Sequence, residues 1–216
     1  MGSVTSATAT KLPDGNLARL PAPERRVTIE RAAAELFAKH GYGATSIDDI
    51  AHAAGVTKPI VYRHFASKRE LHLALLASHR DGLLSCLTEA WTHTSENLDE
   101  RVLTTLHAWL GYLEQEPFAA RLLFYDTTGE AQAIHIEMRA AARAAIVALL
   151  RAESRIDIDV QLIEPTAELI RAGLVGLALW WSEHPALTRA QIATAASHVI
   201  WQGLAPRDAG HAGRSP

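Results

Sequence analysis

The chain has 216 residues, 48% apolar and 21% charged, with a formal net charge of −3. That composition excludes fibrous and low-hydrophobicity disordered classes, and a chain of this size buries a core without disulfide or metal staples. The single cysteine, Cys86, cannot close an internal bridge, no secretory leader is evident, and no apolar run approaches the roughly 20 residues of a membrane span, so a cytoplasmic protein with no membrane attachment is expected.

Residues 1–23 are rich in Thr, Ala, Ser and Pro without an apolar period and read as a disordered arm. Ile29, Ala33, Leu36 and Phe37 then recur at helical spacing, and Gly41 supplies a left-handed stop, so a first helix is expected over about 25–40. Thr45-Ser46-Ile47-Asp48 has the form of a capping box and opens a second helix, Ser46 to Ala54. Gly55 permits a tight turn, Thr57 is placed to cap a third helix from Lys58 to His64, and Pro59 is tolerated in its first turn. Ser67-Lys68-Arg69-Glu70 is a further capping box, and Leu71, Leu75, Leu83 and Cys86 carry a long fourth helix toward residue 93.

Leu98, Val102, Leu106, Trp109, Leu110 and Leu113 form the next stripe, stopped by Pro117, and a short segment from Pro117 to Tyr125 follows. Gly129 marks a break before a long helix carrying Ile134, Met138, Ala141, Ala145 and Leu149. Ile156, Ile158, Val160 and Leu162 alternate with polar residues, a strand period, but no partner strand is in sight, so an extended connection is expected. Pro165 then starts a helix with Leu169, Gly173, Gly176, Leu177 and Trp180 on one face. After Pro185, Thr188-Arg189-Ala190-Gln191 caps a last one with Ile192, Ala195, Val199 and Gly203 aligned. Residues 205–216 read as a disordered tail. The expected fold is all-α with about nine helices: a three-helix head over 24–70 and a helical body over 71–204.

The second and third helices, joined by Gly55-Val56, have the spacing of a helix-turn-helix, whose second helix can enter the major groove. Residues 25–70 hold eight Lys or Arg and five Asp or Glu, a local +3 that leaves the remainder at −6. From Thr57 to Arg69 there are Lys58, Arg63, Lys68 and Arg69 and no acid, which suits phosphate contact.

The run from Thr45 to Leu71, with its turn Gly55, its Tyr62-Arg63-His64-Phe65 and Lys68 after Ser67, resembles the DNA-binding signature of the TetR family of bacterial transcriptional regulators. Ala34-Glu35-Leu36-Phe37 and Gly41-Tyr42 are similar to that family's first helix. The resemblance implies that Val61 and Phe65 face the core while Tyr62 and His64 reach the sugar-phosphate backbone. It further implies a phosphate contact from Lys68 and hydroxyl contacts from Thr45 and Thr57. Lys58, Pro59, Ile60 and Arg63 are then the candidates for base edges, Lys58 and Arg63 for guanine acceptors and the apolar pair for a thymine methyl. Pro59 stands where the family often has Gly.

By the same resemblance, the last two helices pair with those of a second copy, and the inner helices of the body enclose a pocket for a small apolar or amphipathic effector. Trp109, Leu113, Phe124, Met138 and Trp180 are the candidate lining. The expected function is a sequence-specific regulator acting as a homodimer on a near-palindromic double-stranded DNA operator, released by its ligand and by family default a repressor. A dimer without a small effector remains the alternative.

An all-helical enzyme finds no support. There is no Glu-x-x-His for a bundle metal site, no Gly-x-Ser-x-Gly elbow, and no histidine pair at i, i+3 or i+4. No catalytic residue, metal or cofactor is expected.

Overall fold

The computed structural model describes residues 21–92, 97–124, 131–152 and 158–204. Most of the expected arm, the tail, the break at Gly129 and Ile156 of the alternating run lie outside the described residues.

The first three helices are α1 (Ala22–His40), α2 (Ile47–Ala53) and α3 (Lys58–His64). Helix α1 begins earlier than its apolar period predicts and takes in the last residues assigned to the arm. Pro23 explains this, because the first turn of a helix has no use for the N–H that proline lacks. Gly41 (φ 82°) and Gly55 (φ 63°) adopt positive φ, ending α1 and turning the chain between α2 and α3, where a side chain would be strained.

The box that opens α2 stands one residue later than expected. Ser46 Oγ accepts from the Asp49 amide at 3.1 Å and Asp49 Oδ2 accepts from the Ser46 amide at 2.9 Å. Thr45 is unavailable because it is buried, and its hydroxyl donates to the carbonyls of Gly41 (2.9 Å) and Leu36 (3.3 Å), satisfying the end of α1.

Helix α4 (Lys68–Thr92) has 25 residues, about 37 Å of rise, and runs from the head into the body. The body continues with α5 (Leu98–Gln115), α6 (Ala119–Phe124), α7 (Gln132–Ala152), α8 (Ile163–Ser182) and α9 (Arg189–Leu204). Asn97 caps α5, and the expected box at Thr188 opens α9, with Gln191 Oε1 accepting from the Thr188 amide at 2.9 Å. Among the described residues there is no strand. Val160–Leu162, expected as extended, form a single 3-10 turn, because Asp159 accepts from the Gln161 amide at 2.9 Å and its carbonyl from the Leu162 amide at 2.8 Å. Helix α8 follows at once from Ile163, so Pro165 lies inside its first turn and does not start it.

One apolar cluster runs without interruption from the head (Ile29, Phe37, Ile50, Val61, Phe65) along α4 (Leu71, Leu75, Leu76) into the body (Leu110, Leu122, Trp181, Ile192, Ala196). Helices α4 and α5 are also pinned by polar contacts. Tyr112 Oη donates to the His79 carbonyl at 3.1 Å and stands 3.2 Å from His79 Nδ1. Burial pushes the phenol up to about 12, so it remains a donor at neutral pH, and pushes the imidazole below its ordinary value. A Cβ at Gly82 would lie 2.8 Å from that phenol oxygen, which is why α4 carries a glycine there.

Most of the face of α8 that the period aligns is turned outward, while Leu177 of that face packs against the core. Leu169 is 73% exposed, Trp180 45%, and an added Cβ at Gly173 or Gly176 would meet nothing within 4 Å. Trp181 faces inward instead, its indole N–H donating to the Leu187 carbonyl at 2.8 Å. On α9 the inward residues are Ile192, Ala193 and Ala196, while Ala195 and Val199 of the expected stripe are exposed.

Candidate nucleic-acid interface

Helix α3 is amphipathic within two turns. Val61 and the capping Phe65 are buried, and Thr57, Lys58, Pro59, Tyr62 and Arg63 are exposed on the opposite side. Phe65 fixes the helix end: its amide donates to the Val61 carbonyl at 3.0 Å, and the Arg26 guanidinium lies 4.3 Å from its ring centroid. Arg26 also donates to the His64 carbonyl at 3.4 Å and pairs with Glu30 at 2.9 Å. A cation thus sits at the negative end of the α3 dipole. Arg26 was not among the expected site residues, because its role depends on α1 crossing the end of α3.

Thr57 precedes α3 as expected, yet its hydroxyl makes no capping bond. A capping side chain accepts from the second or third helical amide. Pro59 has none to offer, and the Ile60 amide donates to the Thr57 carbonyl at 2.9 Å. Pro59 therefore leaves the threonine hydroxyl at the surface without a cap to serve. Ile60 is half-buried and packs against the core, which leaves less of it for a base than expected. Tyr62, 46% exposed, offers its ring and hydroxyl to solvent. The His64 ring is half-buried, and burial, followed by the charges of Arg25, Arg26 and Arg63, holds its pKa below the usual imidazole value. It is accordingly a neutral hydrogen-bonding group at pH 7.

Two of the expected DNA contacts also have hydrogen-bond partners within the protein. Thr45 is buried with its hydroxyl committed to α1. Lys68 folds over the Tyr42 ring (4.2 Å to the centroid) and donates to the carbonyls of Tyr42 at 2.8 Å and Thr45 at 2.9 Å. Its ammonium ties the loop after α1 to the start of α4, a contact that no local pattern reveals. Replacing Lys68 with Met keeps the stem and removes both charged hydrogen bonds. The expected loss is about 1.5 kcal/mol of stability in urea unfolding, with the salt dependence of DNA binding unchanged. A salt slope shallower by about one would instead identify Lys68 as a phosphate ligand.

Lys58, the first residue of α3, pairs with Asp48 of α2 at 2.7 Å, and that carboxylate holds its ammonium pKa above the ordinary lysine value. The shifted capping box makes this possible, since it engages Asp49 and leaves Asp48 for Lys58.

In the body, Trp109 and Leu113 are buried, and Phe124 and Met138 are half-buried against the same core. Trp180 departs from this group. It stacks on His184 at 4.0 Å between ring centroids, on the outward face, because the inward position in that turn belongs to Trp181. Among the described residues, no cluster of His, Cys, Asp or Glu could hold a metal ion, and no helix is long and apolar enough to cross a membrane.

Known proteins resemble the chain in sequence and in fold. Residues 29–75 match the family described as "Bacterial regulatory proteins, tetR family". The chain is 31% identical over 191 residues to the HTH-type transcriptional activator FasR of Mycolicibacterium smegmatis, covering 86% of this chain and 85% of that protein. Over 75 residues it is 36% identical to the HTH-type transcriptional repressor KstR2 of Mycobacterium tuberculosis, covering 35% of this chain and 38% of that one. The solved structure of the ketosteroid transcriptional regulator KstR2 of M. tuberculosis superposes with a TM-score of 0.73 at 23% identity, covering 85% of this chain and 96% of that one. A TetR-like regulator from Rhodococcus sp. gives 0.73 at 22%, covering 86% and 98%.

Proposed function

The chain belongs to the TetR family of bacterial transcriptional regulators, and from that premise we propose that it acts as a homodimer, presenting two α3 helices to successive major grooves of one operator and holding that DNA with an affinity set by a small molecule. The observation that carries the DNA half of this reading is the exposed Thr57, Lys58, Pro59, Tyr62, Arg63 face of α3, braced from behind by Val61 and Phe65. His64 completes the backbone-contacting set beside Tyr62. Two-fold symmetry requires a near-palindromic site with half-sites roughly 34 Å apart or a multiple of it. Such a regulator works in the cytoplasm, where its operator is.

The dimer reading is supported by the outward apolar face of α8 and α9, where Leu169, Trp180 and Val199 are exposed and Gly173 and Gly176 leave room for a close helix approach. The effector reading is supported by α4, which carries the head on one end and packs against α5 at the other. Trp109, Leu113, Phe124 and Met138 belong to that interior, so an apolar or amphipathic molecule inserted there parts packed helices and displaces α4. A coupling of about 1–3 kcal/mol would change DNA affinity about 5- to 150-fold. Whether occupancy silences or stimulates a promoter depends on where the operator lies relative to the polymerase site. Relatives of both signs exist, FasR being named an activator and KstR2 a repressor.

The test is fluorescence anisotropy with duplexes tiling the DNA upstream of the gene and with a scrambled duplex, at about 50 and 200 mM salt. The expected result is one near-palindromic duplex bound by two protomers. Tyr62→Ala is expected to weaken it about tenfold, the scale of one hydrogen bond to a charged group, with an unchanged melting temperature, because the ring lies at the surface. Equal affinity for the scrambled duplex would refute the reading.

A further inference from the structure

Lys58 stands at the tip of α3, where a helix-turn-helix meets base edges, and its ammonium is already in contact with a carboxylate on the preceding helix at 2.7 Å. An unpaired lysine at that position would be a mobile cation that any phosphate could satisfy, and phosphate contacts carry no sequence information. An ammonium has three donors, and one is engaged by Asp48. The other two are left at a position defined by two helices that Gly55 and the buried Ile50 and Val61 hold in one arrangement.

Resting on the reading that α3 enters the major groove, we propose that Asp48 is a positioning residue for specificity: it keeps its contact with Lys58 in the DNA complex, aims the remaining ammonium donors at a base acceptor, and turns the cation away from the phosphates. The carboxylate also adds a repulsion that every DNA sequence feels equally. Positioning and repulsion are therefore separable, because only positioning changes the ratio of operator to non-operator affinity.

Asp48 is exposed and outside the capping box, so Asp48→Asn leaves the box of α2 in place. The measurement is a double-mutant cycle of Asp48→Asn and Lys58→Ala in the full chain. Affinity is read by anisotropy against the duplex that the unaltered protein selects from a randomised pool and against a scrambled duplex of equal composition. Asp48→Asn is expected to tighten the scrambled duplex, steepen its salt slope by about one as Lys58 gains a phosphate, and weaken the selected duplex. The affinity ratio should fall about tenfold, within the discrimination of one directed base contact. In the Lys58→Ala background the same substitution is expected to shift both duplexes by one common factor. An unchanged ratio with Asp48→Asn, or an equal fall without Lys58, overturns the inference while leaving the DNA-binding reading intact. A protein that selects no duplex at all overturns both.

Discussion

Leu169→Asp is expected to leave the helical fold intact and to cost about 100-fold or more in affinity for a two-half-site operator, because one head alone loses the effective concentration supplied by its twin. Leu169 is 73% exposed on α8, so the protomer loses almost no packing, and surface changes of this kind stay within about 0.5 kcal/mol. Against a second copy the outcome is different. The carboxylate would lie on the face that carries Gly173, Gly176 and Trp180, and closing that face would strip both symmetry-related charges of water at once. Light scattering should report a monomer, circular dichroism an unchanged helix content, and anisotropy the lost affinity. A variant that remains dimeric and binds as before would move the proposed interface elsewhere.

Phe65→Ala is expected to cost about 3–5 kcal/mol, a large share of the 5–15 kcal/mol by which a domain of this kind is stable. The side chain is 1% exposed, closes α3, and carries the Arg26 guanidinium on its outer face. Its loss opens a cavity beneath the recognition helix and frees the cation that holds the His64 carbonyl. Urea unfolding should show the lower midpoint, and Phe65→Leu, which keeps most of the volume, should recover most of it. A loss below about 1 kcal/mol would mean that the ring is not packed as described. Tyr62→Ala and Phe65→Ala therefore separate contact from scaffold. The first should lose DNA at constant stability, and the second should lose stability itself.

Much of the head was legible without coordinates, because its signals are local. Gly41 and Gly55 mark the two positive-φ turns, and the spacing of Ile29, Ala33 and Phe37 marks the buried side of α1. The motif around Tyr62 was specific enough to identify the family. Where several local patterns competed, the sequence was less decisive. Thr45-Asp48 and Ser46-Asp49 both spell a capping box, and only the burial of Thr45 against the end of α1 selects the second. The alternation through Val160 and Leu162 spells a strand, but a single Asp159 cap is enough to curl it when no strand among the described residues offers hydrogen bonds.

The candidate site divides along the same line. Thr57, Lys58, Pro59, Tyr62 and Arg63 stand on the exposed face because helical periodicity, once anchored by Val61 and Phe65, leaves them no other place. Lys68 and Thr45 look equally suited to phosphate in one dimension, and both are claimed by backbone carbonyls that folding brings beside them. In the body, periodicity identified the face of α8 carrying Leu169, Gly173 and Trp180 but could not say whether it turns inward or outward. Local order along the chain was enough for the helices, the helix-turn-helix and the family, since these follow from residues within a few turns of one another. Packing alone selected which polar groups remain available, which tryptophan is core, and that Asp48 meets Lys58. Those outcomes depend on how distant helices compete for the same donors and the same buried volume, and that competition is settled only when they come together.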